Sequence, residues 1–181
     1  VHIKLDTGMH RLGFNPGDMR QLAQQVKEGS GIHIASIFSH LAASDDPKED
    51  AFTNKQGELF KQMSNTLIDA LGYKPMLHLC NSAGIIRHHH LQFDVVRLGL
   101  GLYGVDSSNV LQSKLKQIST LKTNIAQVRS IPAGDNIGYG HHTIAPTDMR
   151  IATICIGYAD GYPRALGNGS AYVLIHGKQA K

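Results

Sequence analysis

Short apolar segments alternate with longer amphipathic ones through the first half of the chain, and this alternation constrains the fold more than any other feature. The apolar segments, predicted as strands, lie at residues 1–5, 32–41, 76–80 and 95–100. The predicted helices lie at residues 16–27 and 46–72 and directly after Asn81. Strand–helix repeats of this kind give parallel strands joined by right-handed crossovers. The sequence therefore predicts the α/β class, as a doubly wound sheet or a barrel.

The strand–helix alternation stops near residue 115, and a β-rich second half follows. Residues 118–131 and 149–156 are predicted as strands on either side of a turn at 132–135, and no helix-length pattern follows them. We therefore predict two domains. Residues 1–115 form an α/β domain, and residues 116–181 form a β-strand domain.

Composition and charge argue against several classes of partner. The formal net charge is +4 and the basic residues are scattered, so no nucleic-acid surface is predicted. No apolar run reaches the roughly 18 residues that a membrane span needs. Cys80 and Cys155 lie in apolar strand patterns without metal-ligand spacing, which predicts buried thiols in a reducing compartment. The consecutive histidines 88–90 cannot share one helical face, so we predict that they are solvated and bind no metal.

Polar side chains gather at the predicted strand ends, where an α/β barrel places its active site. These candidates are Lys4 and Arg11 after the first strand, His40 after the second, Asn81 and Ser82 after the third, and Arg97 within the fourth. A guanidinium inside an apolar strand must have a partner, which makes Arg97 the most informative of them. In the second half, Tyr158 follows Gly157 at a strand end, where a scaffold can hold a phenol rigidly against a ligand.

Residues 99–104 match the dinucleotide-binding pattern G-x-G-x-x-G, but their context does not. No convincing helix follows, and the segment about twenty residues later carries Lys122 and Asn124 instead of an acidic residue. The alternative hypothesis of a nicotinamide-dependent oxidoreductase therefore depends on this segment alone. The glycines suit an anion held by backbone N–H groups, so we predict a phosphate bound at Ser82, Gly99 and Leu100.

Together these motifs resemble the pyridoxal-phosphate-dependent alanine racemases. The resemblance is carried by residues 4–13, His40, residues 81–84, Arg97 with residues 99–104, and residues 156–163. It implies the second half of a (β/α)8 barrel that binds pyridoxal 5'-phosphate, followed by the start of a β-rich C-terminal domain. The implied protein is an isomerase that interconverts L- and D-alanine by two-base proton exchange on a cofactor aldimine. It is implied to be a cytoplasmic homodimer that supplies D-alanine for bacterial peptidoglycan.

The resemblance also implies roles for individual residues. One base is a lysine that binds the cofactor, and the other is Tyr158, contributed across the dimer interface. A hydrogen-bonded chain leads from Tyr158 through His40 and Arg97 to the pyridine nitrogen, which Arg97 leaves largely unprotonated because it donates without giving up a proton. The implied cofactor contacts are Asn81, Ser82, Arg97, Gly99 and Leu100. Arg11 anchors the substrate carboxylate, and Lys4, at a position that some members carbamylate, supports Arg11.

The sequence departs from the family pattern in ways that create further expectations. It lacks a K-A-[ND]-A-Y-G-H-G-like stretch with the cofactor lysine, and His10 and Leu98 stand where a glycine and a proline are usual. We therefore expect an internal fragment that is inactive on its own. Two alternatives stay open. One is a non-catalytic pyridoxal-phosphate barrel protein, which has no β domain, and the other is a serine or broad-specificity racemase.

Overall fold

The computed structural model describes residues 1–29 and 31–181. The described chain divides into two compact units, Val1–Ser119 and Thr120–Lys181. The first contains both strands and helices, whereas the second contains strands and 3-10 turns only among its described residues. The domain boundary predicted after residue 115 lies just before this division.

The first unit is built on a three-stranded parallel sheet. Its strands β1 (His2–Lys4), β2 (Ser36–Phe38) and β3 (Met76–His78) are hydrogen-bonded in chain order. The helices that follow these strands are α1 (Met19–Lys27), α2 (Asp50–Leu71) and α3 (Ser82–Arg87). Parallel strands separated by helices confirm the α/β organisation predicted from the alternation, although each strand is shorter than predicted.

Local sequence signals determine where the two longer helices begin and end. Each is preceded by a proline-opened 3-10 turn, and the residue before the proline caps it: Asn15 accepts the N–H of Gly17 at 2.8 Å, and Asp46 accepts the N–H of Lys48 at 2.9 Å. Helix α2 ends at Gly72, whose φ of 71° is the left-handed conformation that glycine adopts at low cost.

The core of the first unit lies where helices α1 and α2 cover the sheet. Leu5, Ile37 and Phe60 have no exposed surface. One polar side chain of α2, Gln56, is also buried and reaches the loop after β2. It accepts the N–H of Ala42 at 2.9 Å and donates to the carbonyl of His40 at 3.3 Å. The packing that forms the core therefore also fixes the backbone that carries His40.

The prediction of a fourth strand at residues 95–100 is wrong. The segment follows β3 through a single parallel bridge between His78 and Val95, and Arg97 N–H donates to the carbonyl of Cys80 at 3.0 Å. No strand pairs with its other side among the described residues, so a continuous ladder does not form. A 3-10 turn, Leu100–Tyr103, follows directly.

The second unit consists of two antiparallel strand pairs joined by turns. The first pair is β4 (Ile125–Ile131) with β5 (Met149–Ile154), and the second is β6 (Val173–Ile175) with β7 (Lys178–Ala180). Strand β4 begins later than predicted, because residues 118–124 have no regular structure. Cys155 is exposed, contrary to prediction, since a two-stranded pair cannot bury both of its faces.

The prediction that histidines 88–90 are all solvated is wrong for the first of them. His88 is buried at the end of α3, with its Nε2 atom 3.6 Å from Asp50 Oδ1, whereas His89 and His90 are exposed. His88 lies against the start of helix α2, at Asp50, and a local sequence pattern does not reveal such a contact. Within residues 1–29 and 31–181, no cluster of side chains could hold a metal ion and no helix is long and apolar enough to cross a bilayer.

Gly13 lies where the loop that carries Arg11 returns to β1, and its replacement is expected to be costly. Its φ is 119°, and a Cβ there would lie 2.8 Å from the carbonyl carbon of Leu5. Gly72→Ala is the matched control, because Gly72 also has a positive φ but has open space around it. We expect Gly72→Ala to cost about 1–2 kcal/mol and Gly13→Ala about 1–3 kcal/mol more. Equal losses in urea unfolding would contradict the close packing of this loop.

Candidate active site

The guanidinium of Arg97 lies at the centre of the polar groups that follow the strands. Its Nη1 atom is 2.6 Å from His78 Nδ1 and 3.3 Å from the carbonyl of the same residue. Its Nη2 atom donates to the carbonyls of Ser39 at 2.6 Å and Leu79 at 3.0 Å, and lies 3.2 Å from His40 Nδ1. Arg97 therefore binds the ends of β2 and β3 together, which supplies the partners that its place in an apolar segment requires.

All of these partners are neutral, so the charge of Arg97 is not compensated locally. No carboxylate forms an ion pair with it among the residues that the structure describes. Burial lowers the pKa of Arg97, but a guanidinium remains protonated in proteins. The ring of Phe38 covers one face of the group, with Cζ 5.5 Å from the ring centroid. An uncompensated cation, partly shielded from water, is available to act on a bound ligand.

The contacts of Arg97 determine the protonation of two histidines. A guanidinium can only donate, so His78 Nδ1 must accept, and a hydrogen on His40 Nδ1 would oppose the hydrogens of Nη2 at 3.2 Å; the proton of each neutral ring is therefore on Nε2. Burial and the charge of Arg97 lower the pKa of His78 to about 4. Burial, Arg97, Arg11 and Lys4 lower the pKa of His40 as well. At neutral pH both rings are therefore neutral, and His40 Nε2–H is a donor.

Lys4 and Arg11 lie on the β1 side of the same group. Burial and the nearby charge of Arg11 lower the pKa of Lys4, which favours the neutral amine. The exposed Arg11 belongs to a loop that Asp6 organises, since its Oδ1 accepts the N–H groups of Gly8 and His10, both at 3.0 Å. The charges of Arg97, Arg11 and Lys4 all lower the pKa of His40, so these four predicted residues lie near one another.

Ser82 is the first residue of α3, and it connects that helix to the glycine-rich segment. Its Oγ atom accepts the N–H of Gly99 at 2.9 Å and that of Gly101 at 3.2 Å. Its own hydroxyl hydrogen has no acceptor within the described part of the chain. The two amides are engaged by Ser82, whose own hydroxyl hydrogen can donate to a phosphate, so this residue fits that part of the implied cofactor.

The neighbouring residues Asn81 and Leu100 have structural contacts. Asn81 Oδ1 accepts the N–H of Gly84 at 2.9 Å and the hydroxyl of Ser44 at 2.7 Å, while its Nδ2 donates to the carbonyl of Leu41 at 3.3 Å. Asn81 therefore caps α3 and holds the loop after β2. The carbonyl of Leu100 accepts the N–H of Val105 at 3.2 Å. Their contacts with a cofactor stay predictions.

Tyr158 belongs to the second unit, whereas the other predicted site residues belong to the first. It opens a 3-10 turn, Tyr158–Asp160, shortly after β5, and is 78% exposed. Asp160 Oδ2 accepts the N–H of Gly157 at 3.0 Å, and the carbonyl of Gly157 accepts the N–H of Tyr162 at 3.2 Å. The turn is therefore held closed while the phenol projects from it.

The sequence did not predict two residues that contact the site, namely His78, which contacts Arg97, and Gly101, which contacts Ser82. The signal for His78 was the requirement that Arg97 find a partner, because a histidine in the preceding predicted strand was the nearest polar candidate. The signal for Gly101 was its place in the same glycine-rich segment as Gly99, two residues away. Both contacts depend on the spatial approach of β3, α3 and the segment after them, which spacing alone does not give.

Comparison with known proteins places the chain in a family. The profile described as alanine racemase, N-terminal domain, matches residues 1–107, and that described as alanine racemase, C-terminal domain, matches residues 118–181. The chain therefore belongs to the alanine racemase family. This confirms the predicted fold class, in which part of the family's barrel domain is followed by part of its β domain.

Individual relatives agree with this assignment. The alanine racemase of Nostoc sp. is 43% identical over 99% of this chain and 46% of its own length, and an amino-acid racemase of Enterococcus faecalis is 38% identical over 99% and 26%. The alanine racemase structure from Streptomyces lavendulae gives a TM-score of 0.85 at 31% identity, covering 98% of this chain and 48% of that one. The alanine racemase structure from Bartonella henselae, with covalently bound pyridoxal phosphate, gives a TM-score of 0.77 at 33% identity. It covers 98% of this chain and 47% of that one. The chain spans about half the length of the curated alanine racemases it matches.

The contacts of His78 predict how the stability of the first unit depends on pH. The pKa of His78 is about 4 in the folded chain, against an ordinary value of 6.5, so between these values the unfolded chain binds the extra proton. The free energy of unfolding should therefore fall as the pH is lowered from 6.5 to about 4.

His78→Asn should flatten this decline, and urea unfolding at a series of pH values measures it. His40 and His88 contribute in the same direction and remain in the variant, since burial lowers the pKa of both. An identical decline with and without His78 would contradict the account of its environment.

Proposed function

We propose that this chain forms the second half of the barrel and the start of the β domain of an alanine racemase. The enzyme would interconvert L- and D-alanine with pyridoxal 5'-phosphate, which supplies the electron sink for loss of the α-proton. Membership of the family supports the reaction class. The observation that carries the proposal is the neutral environment of Arg97. Because no carboxylate neutralises this guanidinium, it would be free to donate a hydrogen bond to the cofactor.

Arg97 would face the pyridine nitrogen through its Nε–H group. Both Nη atoms already donate to acceptors of the protein, and no acceptor for Nε–H lies among the described residues. A guanidinium donates a hydrogen bond without giving up its proton, so it leaves the ring nitrogen unprotonated. An unprotonated ring nitrogen would weaken the electron sink, so Arg97 would favour return of a proton to the α-carbon over transamination.

Tyr158 and a lysine that binds the cofactor would act on opposite faces of the α-carbon. We propose that Tyr158 comes from a second copy of the chain in a homodimer, and that its phenol oxygen takes and returns the proton of L-alanine. In the tautomer that Arg97 favours, His40 Nε2–H has no acceptor among the described residues, and it would hold that oxygen in place. Arg97, His40 and Tyr158 would then form one chain of hydrogen bonds.

The remaining residues would bind and orient. The Ser82 hydroxyl would donate to the phosphate, and Asn81, Gly99 and Leu100 would line the same site. Arg11 would bind the substrate carboxylate. Lys4 would support Arg11, and a carbamylated Lys4 would be an anion able to hold the Arg11 guanidinium in place.

We propose that activity requires a polypeptide of the relatives' length and that this chain alone is inactive. The proposal is supported by the absence of a K-A-[ND]-A-Y-G-H-G-like stretch from its sequence. A cytoplasmic location, where D-alanine would be made for peptidoglycan, is consistent with two cysteines that form no disulfide in the described chain.

A racemase with serine or broader specificity is the second candidate. The amino-acid racemase of Enterococcus faecalis supports it, since it is 38% identical over 99% of this chain. The match to the C-terminal domain over residues 118–181 argues against a non-catalytic barrel protein.

Arg97→Glu in the full-length enzyme tests the proposed geometry. A carboxylate would favour the protonated pyridine and strengthen the electron sink, so racemisation should slow and pyruvate should appear as a transamination product. Arg97→Lys, which keeps a cation, should slow racemisation without producing pyruvate. If the glutamate variant releases neither pyruvate nor pyridoxamine phosphate, Arg97 does not face the ring.

Tyr158→Phe tests the role of the second unit. Only a hydroxyl is lost, so the fold should persist while racemisation falls by about 10²–10⁴-fold in both directions. In deuterated water, D-alanine should still exchange its α-hydrogen, because its proton faces the lysine, whereas L-alanine should not. Tyr162→Phe, in the same turn, is the matched control and should leave both exchanges intact. Equal residual exchange of both enantiomers in Tyr158→Phe would make Tyr158 a structural residue.

A further inference from the structure

A row of hydrogen-bonding side chains crosses all three strands and ends on Arg97. Ser36 of β2 lies between two histidines, with its Oγ atom 2.7 Å from His2 Nδ1 of β1 and 3.0 Å from His78 Nε2 of β3. His78 Nδ1 in turn lies 2.6 Å from Arg97 Nη1. Ser36 is buried, whereas His2 is exposed. None of the roles described above uses His2 or Ser36, and His78 enters them only as an acceptor for Arg97.

The directions of the hydrogen bonds between Arg97, His78 and Ser36 follow from Arg97. Because Arg97 can only donate, His78 Nδ1 accepts and its Nε2–H donates to Ser36 Oγ. The Ser36 hydroxyl is then free to donate its own hydrogen to His2 Nδ1. The row is therefore polarised from Arg97 to Ser36, and the Ser36 hydroxyl is placed to donate to a His2 ring that is unprotonated at Nδ1.

We propose that His78 is a positioning residue for Arg97 and that Ser36 and His2 hold it in the tautomer that accepts from Nη1. This deepens the proposed function and rests on it, because the orientation of Arg97 affects catalysis only if Arg97 faces the cofactor. With Nη1 bound to His78 and Nη2 bound to the Ser39 and Leu79 carbonyls, only Nε–H remains to donate to a ligand. His78 thus determines which nitrogen of the guanidinium is presented.

The surroundings of His78 support a positioning role rather than a proton-transfer role. Its ring stacks on Phe38, with centroids 4.9 Å apart and planes 7° apart, which restricts rotation. The charged or titratable groups that lower its pKa are Arg97 and His2, so no acid stabilises the protonated ring. A neutral, stacked ring with both nitrogens engaged is a rigid acceptor.

The first experiment reads the tautomers directly in this chain by side-chain nitrogen NMR of histidine-labelled protein. At neutral pH, His78 should show an unprotonated Nδ1 and a protonated Nε2. Ser36→Ala removes the acceptor of Nε2–H, so the two tautomers of His78 should begin to average and the Arg97 Nη signals should broaden. A protonated Nδ1 in the unaltered chain, or no change in Ser36→Ala, would overturn the proposal.

The second experiment compares three variants in the full-length enzyme. His78→Leu removes the acceptor and should lower kcat by about 10²-fold, with little change in the KM for alanine, because Arg11 is untouched. It should also shift the absorption spectrum of the bound cofactor. His78→Asn places a carbonyl oxygen near the Nδ1 position and should restore most of the rate and the spectrum. His89→Asn, at an exposed position, is the control and should match the unaltered enzyme.

The outcomes separate this inference from the proposed function. If the unaltered full-length protein racemises alanine but His78→Leu and His78→Asn behave alike, His78 does not position Arg97 and the racemase assignment stands. If the NMR pattern is as expected but the full-length protein neither binds the cofactor nor racemises alanine, the proposed function fails, and the inference as an account of catalysis fails with it.

Discussion

The site depends on the hydrogen bonds that the partly buried guanidinium of Arg97 makes to neutral groups, without a carboxylate. A carboxylate would neutralise Arg97 and compete with any ligand for its charge. Three carbonyl oxygens and two imidazole nitrogens bind it instead, so its hydrogen bonds are made while its charge persists. The neutrality of His40 and His78 and their tautomers follow from this one choice of partners.

The fold provides those partners through packing that also builds the core. Parallel pairing of β1, β2 and β3 brings their carboxyl ends to one edge, and Arg97 contacts the last two of them there. Gln56 of α2 is buried in the core and fixes the backbone at His40. Stability and site geometry therefore share the same contacts, which explains why a polar side chain lies inside α2.

Local signals predicted the elements, and only packing revealed the contacts between them. Helix limits such as Gly72 were predictable because capping depends on neighbouring residues. The fourth strand and the burial of Cys155 were predicted wrongly, since both depend on a neighbouring strand or layer that a local pattern does not report. His78 was not predicted as a site residue, because its significance lies in a contact with Arg97, nineteen residues away.

The central claim is that Arg97 donates to the pyridine nitrogen of a bound cofactor without protonating it. The most direct measurement is the nitrogen-15 chemical shift of ring-labelled pyridoxal 5'-phosphate in the full-length protein at neutral pH. The account predicts the shift of a neutral pyridine that accepts a hydrogen bond, and Arg97→Glu should move it towards that of a protonated ring. A pyridinium shift in the unaltered protein would contradict the account.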